Sequence, residues 1–533
     1  MQSKAIAYKE TGYFSNLICD YLNEEKNLQP FYNNFPKLEN FKKQIEEKQL
    51  SFGSNSRHIL SETLKRQYNN TEASAKTLQN IEDLKQENTF TITTGHQLNL
   101  FTGPLYFLYK IVSTINLTTQ LKEKYPNCNF VPVYWMATED HDFDEIKYFN
   151  FKGKKIQWNK NASGAVGELS TEGLDNVFEI FSSELGLEEN ANALRNLFQT
   201  AYLKHANLAA ATQYLANALF AAYGLVIVDA NNKELKQLFV PYIKEELENK
   251  TSFKTVTNTS SKLDSISPNY KVQVNPREIN LFYIESNIRE RIVYEAGTYK
   301  VLNTNISWSK KELLKQVKDA SQKFSPNVIL RPLYQEVILP NLCYIGGGGE
   351  LAYWLQLKDY FNKVNVVFPM LLLRNSVLIK TKKQEEKLKK LQVSLEDTFL
   401  KQDVLINKKV KQISSIEIDF SKQLSHLKKQ FKDLYAIAEK TDKSFVGAVA
   451  AQEKKQINGL QHLEKRLLTA QKRKLKDKIA RITEIQEALF PKGSLQERNT
   501  NFSQFYLEFG EQLVPKLIET LKPLQGDFTV LTL

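Results

Sequence analysis

A long stretch without helix breakers dominates the last third of the chain. No proline occurs between Pro369 and Pro491, and from Val377 to Phe490 there are only two glycines. Long helices need this absence, because proline removes a backbone donor and both residues lower helix stability. The same stretch carries 26 Lys and Arg against 15 Asp and Glu, a net of +11 in a chain whose formal net charge is +12. We expect a basic helical arm attached to a nearly neutral remainder.

Apolar residues within this arm recur at intervals of three or four, which is the spacing of one helical face. Helices are predicted through Leu388 to Phe399, through Leu424 to Leu434, and through Ile457 to Leu489. A loop or short strand is predicted from Asp403 to Asp419. The expected form is antiparallel, with one long element that resembles a coiled coil.

Two uses of such an arm are open. A basic surface can bind nucleic acid, whereas a long exposed helix can pair two copies of the chain while its lysines face water. The arm contains few aromatic residues on which bases could stack, which argues against single-stranded nucleic acid. We therefore favour a homodimer through the arm over nucleic acid as the partner.

Before the arm, short apolar runs alternate with helical patterns. Alternation of strands and helices predicts a parallel sheet covered by helices on both faces, so the fold class is α/β. The predicted strands are Thr89–Thr93, Asn129–Trp135, Leu225–Asp229, Val328–Leu330 and Val364–Phe368. The predicted helices include one from about Leu105 to Lys124, Asn207–Tyr223 and Lys233–Asn249.

Stretches of short alternating strands interrupt this pattern at Phe151–Gly167 and Val272–Leu302. They indicate an inserted α+β module outside the parallel sheet. The predicted division is an N-terminal helical segment (1–85), the parallel-sheet core (86–150, 200–250 and 310–376), the inserted module (151–199 and 251–309), the coiled-coil arm (377–500) and a C-terminal return segment (501–533).

Open α/β sheets bind ligands beyond the carboxyl ends of their strands, and three unusual segments fall near such positions. The first runs from Thr94 to Pro104 and places glycines, hydroxyls and amides ahead of a helix. Backbone N–H groups there would attract phosphate or carboxylate, although Pro104 also suits an ordinary first helical turn. The candidate binding residues are Thr94, Gly95, His96, Gln97, Thr102 and Gly103.

The second segment, Glu139–Glu145, has five carboxylates in seven residues directly after a predicted strand. Like charges at this density need a shared cation or raised pKa values. The cation could be Mg²⁺, a substrate ammonium group or a Lys or Arg of the chain, and complementing a helix dipole is an alternative explanation. Asp140, His141 and Asp142 are the candidate catalytic residues, because His141 lies between two carboxylates. Asp144 is a candidate binding residue.

The third segment is a run of four glycines, Gly346, Gly347, Gly348 and Gly349, ahead of a helix. Such a run costs chain entropy, and it can be an anion site or a flexible hinge. Its spacing is neither that of a dinucleotide fold nor that of a P-loop. Arg331 and Arg374, placed at the ends of two later strands, are candidate clamps for carboxylate or phosphate.

The residue content excludes several other classes. Cys19, Cys128 and Cys343 are too scattered for a disulfide framework or a zinc ribbon, which favours a reducing cytosol. No apolar stretch approaches the roughly 20 residues of a bilayer-spanning helix, residues 1–16 lack a signal pattern, and no GxSxG elbow is present. We expect a cytoplasmic protein, and the identity of any bound metal stays unknown.

Three strings are recognisable together: TGHQLNLFTGPLYFLYK (Thr94–Lys110), VPVYWMATEDHDFDEI (Val131–Ile146) and YIGGGGELAYW (Tyr344–Trp354). In this order they resemble the BshC family of bacillithiol biosynthesis, and the resemblance extends over nearly the whole chain. The EDHDFDE string is its most specific part. The resemblance implies a Rossmann-like core similar to class I nucleotidyltransferases, a connecting insertion and a coiled-coil dimer arm.

The resemblance also implies a ligase that joins L-cysteine to glucosaminyl-malate through an amide, in the last step of bacillithiol biosynthesis. The cysteine carboxylate must then be activated, and ATP with Mg²⁺ is the expected activator, through an acyl-adenylate or acyl-phosphate. The glycine segments would hold phosphates or malate carboxylates, and Asp140–Asp144 an ammonium group or Mg²⁺, with His141 or Asp142 taking the amine proton.

The alternative function is a tRNA-binding protein related to class I aminoacyl-tRNA synthetases, with the basic arm holding RNA. Neither a HIGH-type nor a KMSKS-type string is present in the sequence, which argues against this alternative.

Overall fold

The computed structural model describes residues 2–533, so Met1, which begins the predicted N-terminal segment, lies outside the described residues. The chain divides into two compact bodies. The first, called the core body below, consists of Ser3–Leu378 and Gln496–Leu531, and the second, called the arm, consists mainly of Ile379–Leu495. The finer division of the first 376 residues into a helical segment, a core and an inserted module stays a prediction.

The strands of the described residues are short and fall into four sheets. They are β1 (Gln2–Ile6), β2 (Thr89–His96), β3 (Asn129–Met136), β4 (Tyr148–Phe151), β5 (Lys154–Gln157), β6 (Val226–Asp229), β7 (Leu281–Glu285), β8 (Ile288–Glu295), β9 (Thr298–Val301), β10 (Ser307–Trp308), β11 (Phe324–Pro326), β12 (Asn341–Gly346), β13 (Met370–Leu373), β14 (Val377–Lys380) and β15 (Phe528–Thr532).

Helices precede and follow most of these strands. Those of the core body are α1 (Tyr8–Thr11), α2 (Asn16–Leu22), α3 (Phe41–Ser51), α4 (Ser54–Gln67), α5 (Ala75–Asp83), α6 (Tyr106–Lys124), α7 (Phe143–Ile146), α8 (Leu174–Glu184), α9 (Glu189–Leu203), α10 (Leu208–Phe220), α11 (Lys233–Asn249), α12 (Thr251–Ile266), α13 (Lys310–Asp319), α14 (Arg331–Ile338), α15 (Gly348–Leu355) and α16 (Lys358–Lys363). The arm contains α17 (Lys382–Lys390), α18 (Leu395–Thr398), α19 (Gln402–Ile413), α20 (Ser421–Ala438), α21 (Lys443–Lys474) and α22 (Lys476–Leu489). The chain then adds α23 (Gln496–Asn499), α24 (Ser503–Phe509) and α25 (Leu513–Thr520) to the core body.

The central sheet is parallel throughout and has the strand order β13-β12-β2-β3-β6. Nearly every residue of these strands is buried, on both faces of the sheet. Runs rich in Val, Ile, Phe and Thr without a polar face are typical of strands covered on both sides by helices. The predicted α/β class with a Rossmann-like parallel-sheet core is confirmed.

The predicted strand at Val328–Leu330 is wrong. These residues form a turn that leads into α14, and the Asn327 side chain holds it by accepting hydrogen bonds from the backbone N–H groups of Ile329 and Leu330. Both of those side chains are fully buried. An apolar turn with two of its three side chains buried therefore has the composition of a strand without its geometry.

The predicted strand at Val364–Phe368 is also wrong, because the strand of this region begins later, at β13. The chain leaves α16 through a turn in which Asn365 adopts a left-handed conformation, with φ of 56°. Pro369 follows and cannot donate a ladder hydrogen bond, so the pairing with β12 starts at Met370.

A second sheet of five antiparallel strands has the order β10-β9-β8-β7-β11. It contains the short alternating strands predicted within Val272–Leu302. Those predicted near Phe151–Gly167 correspond to the antiparallel hairpin of β4 and β5. A small third sheet has the order β1-β15-β14.

The arm is helical, but its helices differ in two places from the prediction. The segment Asp403–Asp419, predicted as a loop or strand, mostly forms α19, whose buried Lys409 pairs with Asp397 at 2.9 Å. The helix predicted through Leu388 to Phe399 is interrupted where Gln392 adopts φ of 55°. The periodicity of apolar residues alone cannot predict a buried ion pair or a single residue in the left-handed conformation.

A search of residues 2–533 for a helix apolar and long enough to cross a bilayer finds none.

A buried ion pair between two helices of the core body provides a test of this fold. Lys48 of α3 contacts Glu336 of α14 at 3.0 Å, and both side chains are almost fully buried. We expect Lys48→Met to lower the free energy of unfolding by about 3–5 kcal/mol, because it leaves a buried carboxylate without its cation. Urea unfolding followed by circular dichroism measures the change. The matched control is Lys43→Met on the same helix, where an exposed pair with Glu47 should cost at most about 1 kcal/mol. Equal costs for the two variants would contradict the prediction.

Candidate active site

A cavity of about 480 Å³ opens at the carboxyl ends of the central parallel strands. This is the edge at which open α/β sheets bind their ligands. All three sequence segments singled out above contribute to the lining, together with five cationic side chains. From those segments the lining residues are Gly95, His96, Gln97, Glu139, Asp140, Gly347, Gly348 and Gly349.

Close packing explains the glycine near the end of β2. A Cβ atom on Gly95 would lie 3.3 Å from the Tyr344 hydroxyl and 3.8 Å from Nη1 of Arg331. The Gly95 carbonyl accepts a hydrogen bond of 2.6 Å from the buried Nζ of Lys110. The backbone at this position is therefore part of the cavity wall.

Three predicted residues of the first segment lie outside the main cavity. Thr94 Oγ1 donates to the Ile345 carbonyl at 2.7 Å, which joins β2 to β12. Thr102 and Gly103 form a turn before α6, with φ values of 66° and 64°. Of the two, Gly103 lines a smaller neighbouring cavity.

His96 is buried in the wall of the main cavity. Its Nε2 has no hydrogen-bond partner among the described residues. Burial, with the Lys110 charge nearby, lowers the pKa of His96 to about 3. The ring is therefore neutral at pH 7, and one nitrogen is free to contact a ligand.

The carboxylates of the acidic segment do not share one cation. Glu139 forms a buried ion pair with Lys236 of α11. Asp142 caps α7 with its side chain, and Asp144 pairs with Lys147 at the surface. Over the part of the chain that the structure describes, no three His, Cys, Asp or Glu side chains are placed to hold a metal ion.

Asp140 is the residue of the predicted catalytic trio that faces the cavity. Its Oδ2 accepts a hydrogen bond from Gln97 Nε2 at 2.9 Å, and its Oδ1 accepts one from the backbone N–H of His141 at 2.7 Å. Burial alone would raise the pKa of Asp140, but the hydrogen bonds from His141 and Gln97 outweigh it and hold the pKa below its ordinary value. Asp140 is therefore ionised at pH 7 and can bind an ammonium group.

The His141 ring is half exposed and lies outside the cavity lining. Its Nδ1 accepts a hydrogen bond of 2.7 Å from Arg289 of β8. Because a guanidinium group only donates, this contact occupies the nitrogen that carries the lone pair. Arg289 itself stacks on Phe282 and lines the cavity. The predicted role of His141 as a proton acceptor therefore requires the Arg289 contact to open.

The glycine run ends β12 and begins α15, and one carboxylate organises it. The backbone N–H of Gly347 donates to Glu350 Oε2 at 2.8 Å. Lys110 contacts the same oxygen at 2.7 Å, and the Tyr344 hydroxyl donates to Oε1 at 2.7 Å. Burial opposes ionisation, but Lys110 and these hydrogen bonds lower the pKa of Glu350 to about 2. Gly346, the last residue of β12, lies outside the cavity lining.

Both predicted arginines line the cavity. Arg374 directly follows β13, its Nη2 donates to Glu497 at 2.7 Å, and its Nε has no partner among the described residues. Arg331 does not end a strand as predicted, because residues 328–330 form a turn and Arg331 begins α14. Its guanidinium group lies over the rings of Trp135 and Tyr344, at 5.7 and 5.5 Å from their centroids.

Four charged residues of the lining are not identified from the sequence: Lys110, Arg289, Glu350 and Arg498. Two of them have a usable signal. Glu350 directly follows the glycine run, and Lys110 is a lysine within the apolar pattern of α6. Arg289 and Arg498 come from β8 and α23, and no local pattern distinguishes them from exposed arginines.

Comparison with protein families gives two matches that together cover nearly the whole chain. The model described as "Bacillithiol biosynthesis BshC, N-terminal Rossmann-like domain" matches residues 1–375. The model described as "Bacillithiol biosynthesis BshC, C-terminal coiled-coil domain" matches residues 377–533.

Three relatives, all named "Putative cysteine ligase BshC", are similar to this chain along nearly their full length. The protein of Flavobacterium johnsoniae is 60% identical over 100% of both chains. That of Cytophaga hutchinsonii is 37% identical over 97% of this chain and 96% of its own. That of Bacillus cereus strain B4264 is 28% identical over 100% of both chains.

Among solved structures, that of a putative arginyl-tRNA synthetase from Campylobacter jejuni aligns with a TM-score of 0.20 and 11% identity. The alignment covers 84% of this chain and 98% of that chain. A likeness of this size carries no argument about fold or function.

The lowered pKa of Glu350 predicts how the core body responds to acid. A carboxyl group whose pKa falls from 4.5 unfolded to about 2 folded contributes stability above pH 4.5 that is lost as the pH falls towards 2. The contribution is at most about 3 kcal/mol. We therefore expect Glu350→Gln to be less stable than wild type at pH 7 and to approach wild-type stability near pH 2. Urea unfolding across this pH range measures the difference, and a difference that stays constant with pH would contradict the assignment.

Proposed function

This chain belongs to the BshC family of bacillithiol biosynthesis, and we propose that it is a cysteine ligase acting in the last step of that pathway. Its substrates are L-cysteine and glucosaminyl-malate, and the bond formed is an amide between the cysteine carboxyl carbon and the amino nitrogen of the sugar. One observation carries the proposal: a single cavity holds an ionised carboxylate suited to an ammonium group and several cations suited to anionic groups.

The charges of the cavity match those of the proposed substrates. Its cationic side chains are Lys110, Arg289, Arg331, Arg374 and Arg498, and its carboxylates are Glu139, Asp140 and Glu350. Two of the three carboxylates are already neutralised by ion pairs with lysines. The arginines therefore leave an excess of positive charge, and guanidinium groups suit the malate carboxylates and the phosphates of a nucleotide.

ATP with Mg²⁺ is the proposed activator, and the glycine turn fits its phosphates. A Cβ atom on Gly347 would lie 3.9 Å from Arg374 Nε, the guanidinium nitrogen that lacks a partner in the described chain. Glu350 Oε2 is nearer, at 3.5 Å from that Cβ, and already accepts from the Gly347 N–H, so the proposed donor to a phosphate is Arg374 and not the backbone of the turn. When bound, ATP would make a carboxylate oxygen of cysteine into a leaving group. Mg²⁺ would be held chiefly by phosphate oxygens and water, as is common for this ion.

Asp140 is the proposed partner of the amino group of glucosaminyl-malate. Gln97 fixes the orientation of the Asp140 carboxylate within the cavity wall. His141 and Asp142 adjoin it in the sequence but lie outside the lining, so the geometry favours Asp140 for contact with the amine. Alignment of the amine with the activated carboxyl group can supply much of the acceleration.

The alternative of a tRNA-binding protein gains no support from residues 2–533. The main cavity has the size of small-molecule sites, for which volumes of about 300–1,000 Å³ are typical. We retain the small-molecule ligase as the single proposed function.

The proposal includes a homodimer formed through the arm and a cytoplasmic location. Large apolar side chains are exposed on the arm helices, among them Leu434, Ile437, Phe445 and Leu463. Large apolar side chains exposed on a helical surface commonly mark a protein interface. All three cysteines are free thiols, as is usual in a reducing compartment.

Replacement of Asp140 tests the role assigned to this carboxylate. We expect Asp140→Asn to slow single-turnover amide formation at least about 100-fold, because the neutral amide no longer binds an ammonium group. His141→Ala and Asp142→Asn should change the same rate less than about tenfold. The rates are measured with saturating cysteine and ATP and with glucosaminyl-malate below its dissociation constant, where weaker binding of the amine slows the reaction. A large loss in His141→Ala together with normal activity of Asp140→Asn would move the role to His141.

Thiol profiling of cells tests the pathway itself. We expect cells that lack the gene to contain no bacillithiol and to accumulate glucosaminyl-malate, because the acceptor of the ligation is still made. Mass spectrometry of derivatised thiols measures both compounds, and a gene copy encoding the wild-type chain is the control. Normal bacillithiol in the deletion strain would refute the proposal.

A further inference from the structure

A second, smaller cavity of about 260 Å³ adjoins the main one. Gln97, Tyr106 and Arg498 line both cavities, so these three residues form a common wall. The remaining lining of the smaller cavity comes from the turn before α6, from the end of α7 through β4, and from α23. These residues are Asn99, Gly103, Pro104, Glu145, Tyr148, Phe149, Asn150 and Asn499.

The smaller cavity is rich in groups that both donate and accept hydrogen bonds. Four of its lining residues carry side-chain amides: Gln97, Asn99, Asn150 and Asn499. Asn99 is more than nine-tenths buried, and its Oδ1 has no hydrogen-bond partner among the described residues. A buried acceptor without a partner is costly, and a ligand hydroxyl group would satisfy it.

The carboxylate of Glu145 lies where the two cavities meet, beside Gln97. Gln97 Nε2 donates to Glu145 Oε2 at 2.9 Å and also to Asp140 Oδ2 at 2.9 Å. Glu145 lines the smaller cavity, whereas Asp140 lines the main one. The two carboxylates thus lie on either side of a single amide group.

The two cavities differ in charge. The smaller one has one carboxylate, Glu145, and one guanidinium group, Arg498, in its lining, so it has no excess of either sign. The main cavity has five cationic side chains. A polyanion such as a nucleotide is therefore favoured in the main cavity, and a neutral polyhydroxyl ring in the smaller one. A volume of 260 Å³ is also below the range of about 300–1,000 Å³ usual for drug-sized ligands and suits one small ring.

We infer that the smaller cavity is the subsite for the sugar ring of the acceptor, an inference that rests on the proposed function. Each sugar hydroxyl donates one hydrogen bond and accepts others, which the surrounding amides can match. In glucosaminyl-malate the malate and the amino group are attached to adjacent ring carbons. With the ring in the smaller cavity, both substituents face the common wall. The amino group then contacts Asp140 and Glu145, beside Gln97. The malate carboxylates extend past Arg498 towards the other cationic side chains of the main cavity.

This arrangement makes Asn99 and Glu145 specificity-determining residues. Asn99 recognises a ring hydroxyl, and Glu145 adds a second carboxylate for the ammonium group. A site built to hydrogen-bond a hydroxyl discriminates strongly against ligands that lack it. L-Malate alone has neither the ring nor the amine, so its binding should not depend on these two residues.

Isothermal titration calorimetry of the full chain with two probes, glucosaminyl-malate and L-malate, tests the inference. We expect Asn99→Leu and Glu145→Gln each to weaken glucosaminyl-malate binding at least tenfold while changing L-malate binding less than twofold. Leucine has nearly the shape of asparagine, and Glu145 is exposed, so circular dichroism should show both variants folded. The matched control is Glu179→Gln, an exposed carboxylate of α8 that lines neither cavity, and it should bind both probes as wild type does.

Two outcomes would overturn the inference while leaving the proposed function in place. One is wild-type affinity of Asn99→Leu and Glu145→Gln for glucosaminyl-malate. The other is an equal loss of affinity for both probes, which would mean that the smaller cavity does not recognise the sugar. If wild-type protein binds no glucosaminyl-malate with or without ATP and cysteine, the proposed function itself fails, and the inference fails with it.

Discussion

The cavity is organised around one ion pair, that between the buried Lys110 of α6 and the partly exposed Glu350 of α15. Lys110 also donates to the carbonyl of Gly95 at the end of β2, and Glu350 also accepts hydrogen bonds from Gly347 and Tyr344 at the end of β12. One pair of charges thus sets the relative positions of two strands and two helices. Because Lys110 is buried, loss of Glu350 would leave its charge without a partner, so this contact favours the observed arrangement of the four elements. The contact between Lys110 and Glu350 therefore joins the first predicted segment, through Gly95, to the glycine turn that was predicted as an anion site.

Three strands of the central sheet, β2, β3 and β6, could be predicted from the sequence because they are buried on both faces and are rich in apolar and β-branched residues. The wrong predictions occur where residues are buried for a reason other than membership of a strand or an apolar helical face. Val328–Leu330 is as apolar as a strand, yet the Asn327 side chain folds it into a turn. In the arm, the sequence does not predict α19 because its buried Lys409 breaks the apolar pattern. Asp397, the Gln392 carbonyl and Gln412 together make that burial tolerable. The periodicity of apolar residues indicates which residues are buried, but it does not indicate which buried polar groups are paired.

The candidate site was predictable to a similar extent. The segments that form its wall could be located, since the carboxyl ends of parallel strands meet at one edge. The distribution of charge within it could not. The acidic string suggested carboxylates gathered around one cation, whereas Glu139 pairs with Lys236 and Asp144 pairs with Lys147. Of the two acidic-string carboxylates that line the main cavity, Glu139 and Asp140, only Asp140 has no lysine partner. Arg289 reaches the site from an antiparallel sheet far along the chain, and a contact of that kind exists only in the tertiary structure.

The ion pair between Arg374 and Glu497 has a consequence for how the protein is made. The two residues are 123 positions apart, and the whole arm lies between them in the sequence. At about 5–20 residues per second, a ribosome needs roughly 6–25 s to travel from the codon of one to that of the other. During that interval the guanidinium group of Arg374 has been synthesised and the carboxylate that neutralises it has not. A nascent chain stalled anywhere in the arm therefore has an incomplete cavity, and it can bind ligand only after Glu497 has been synthesised.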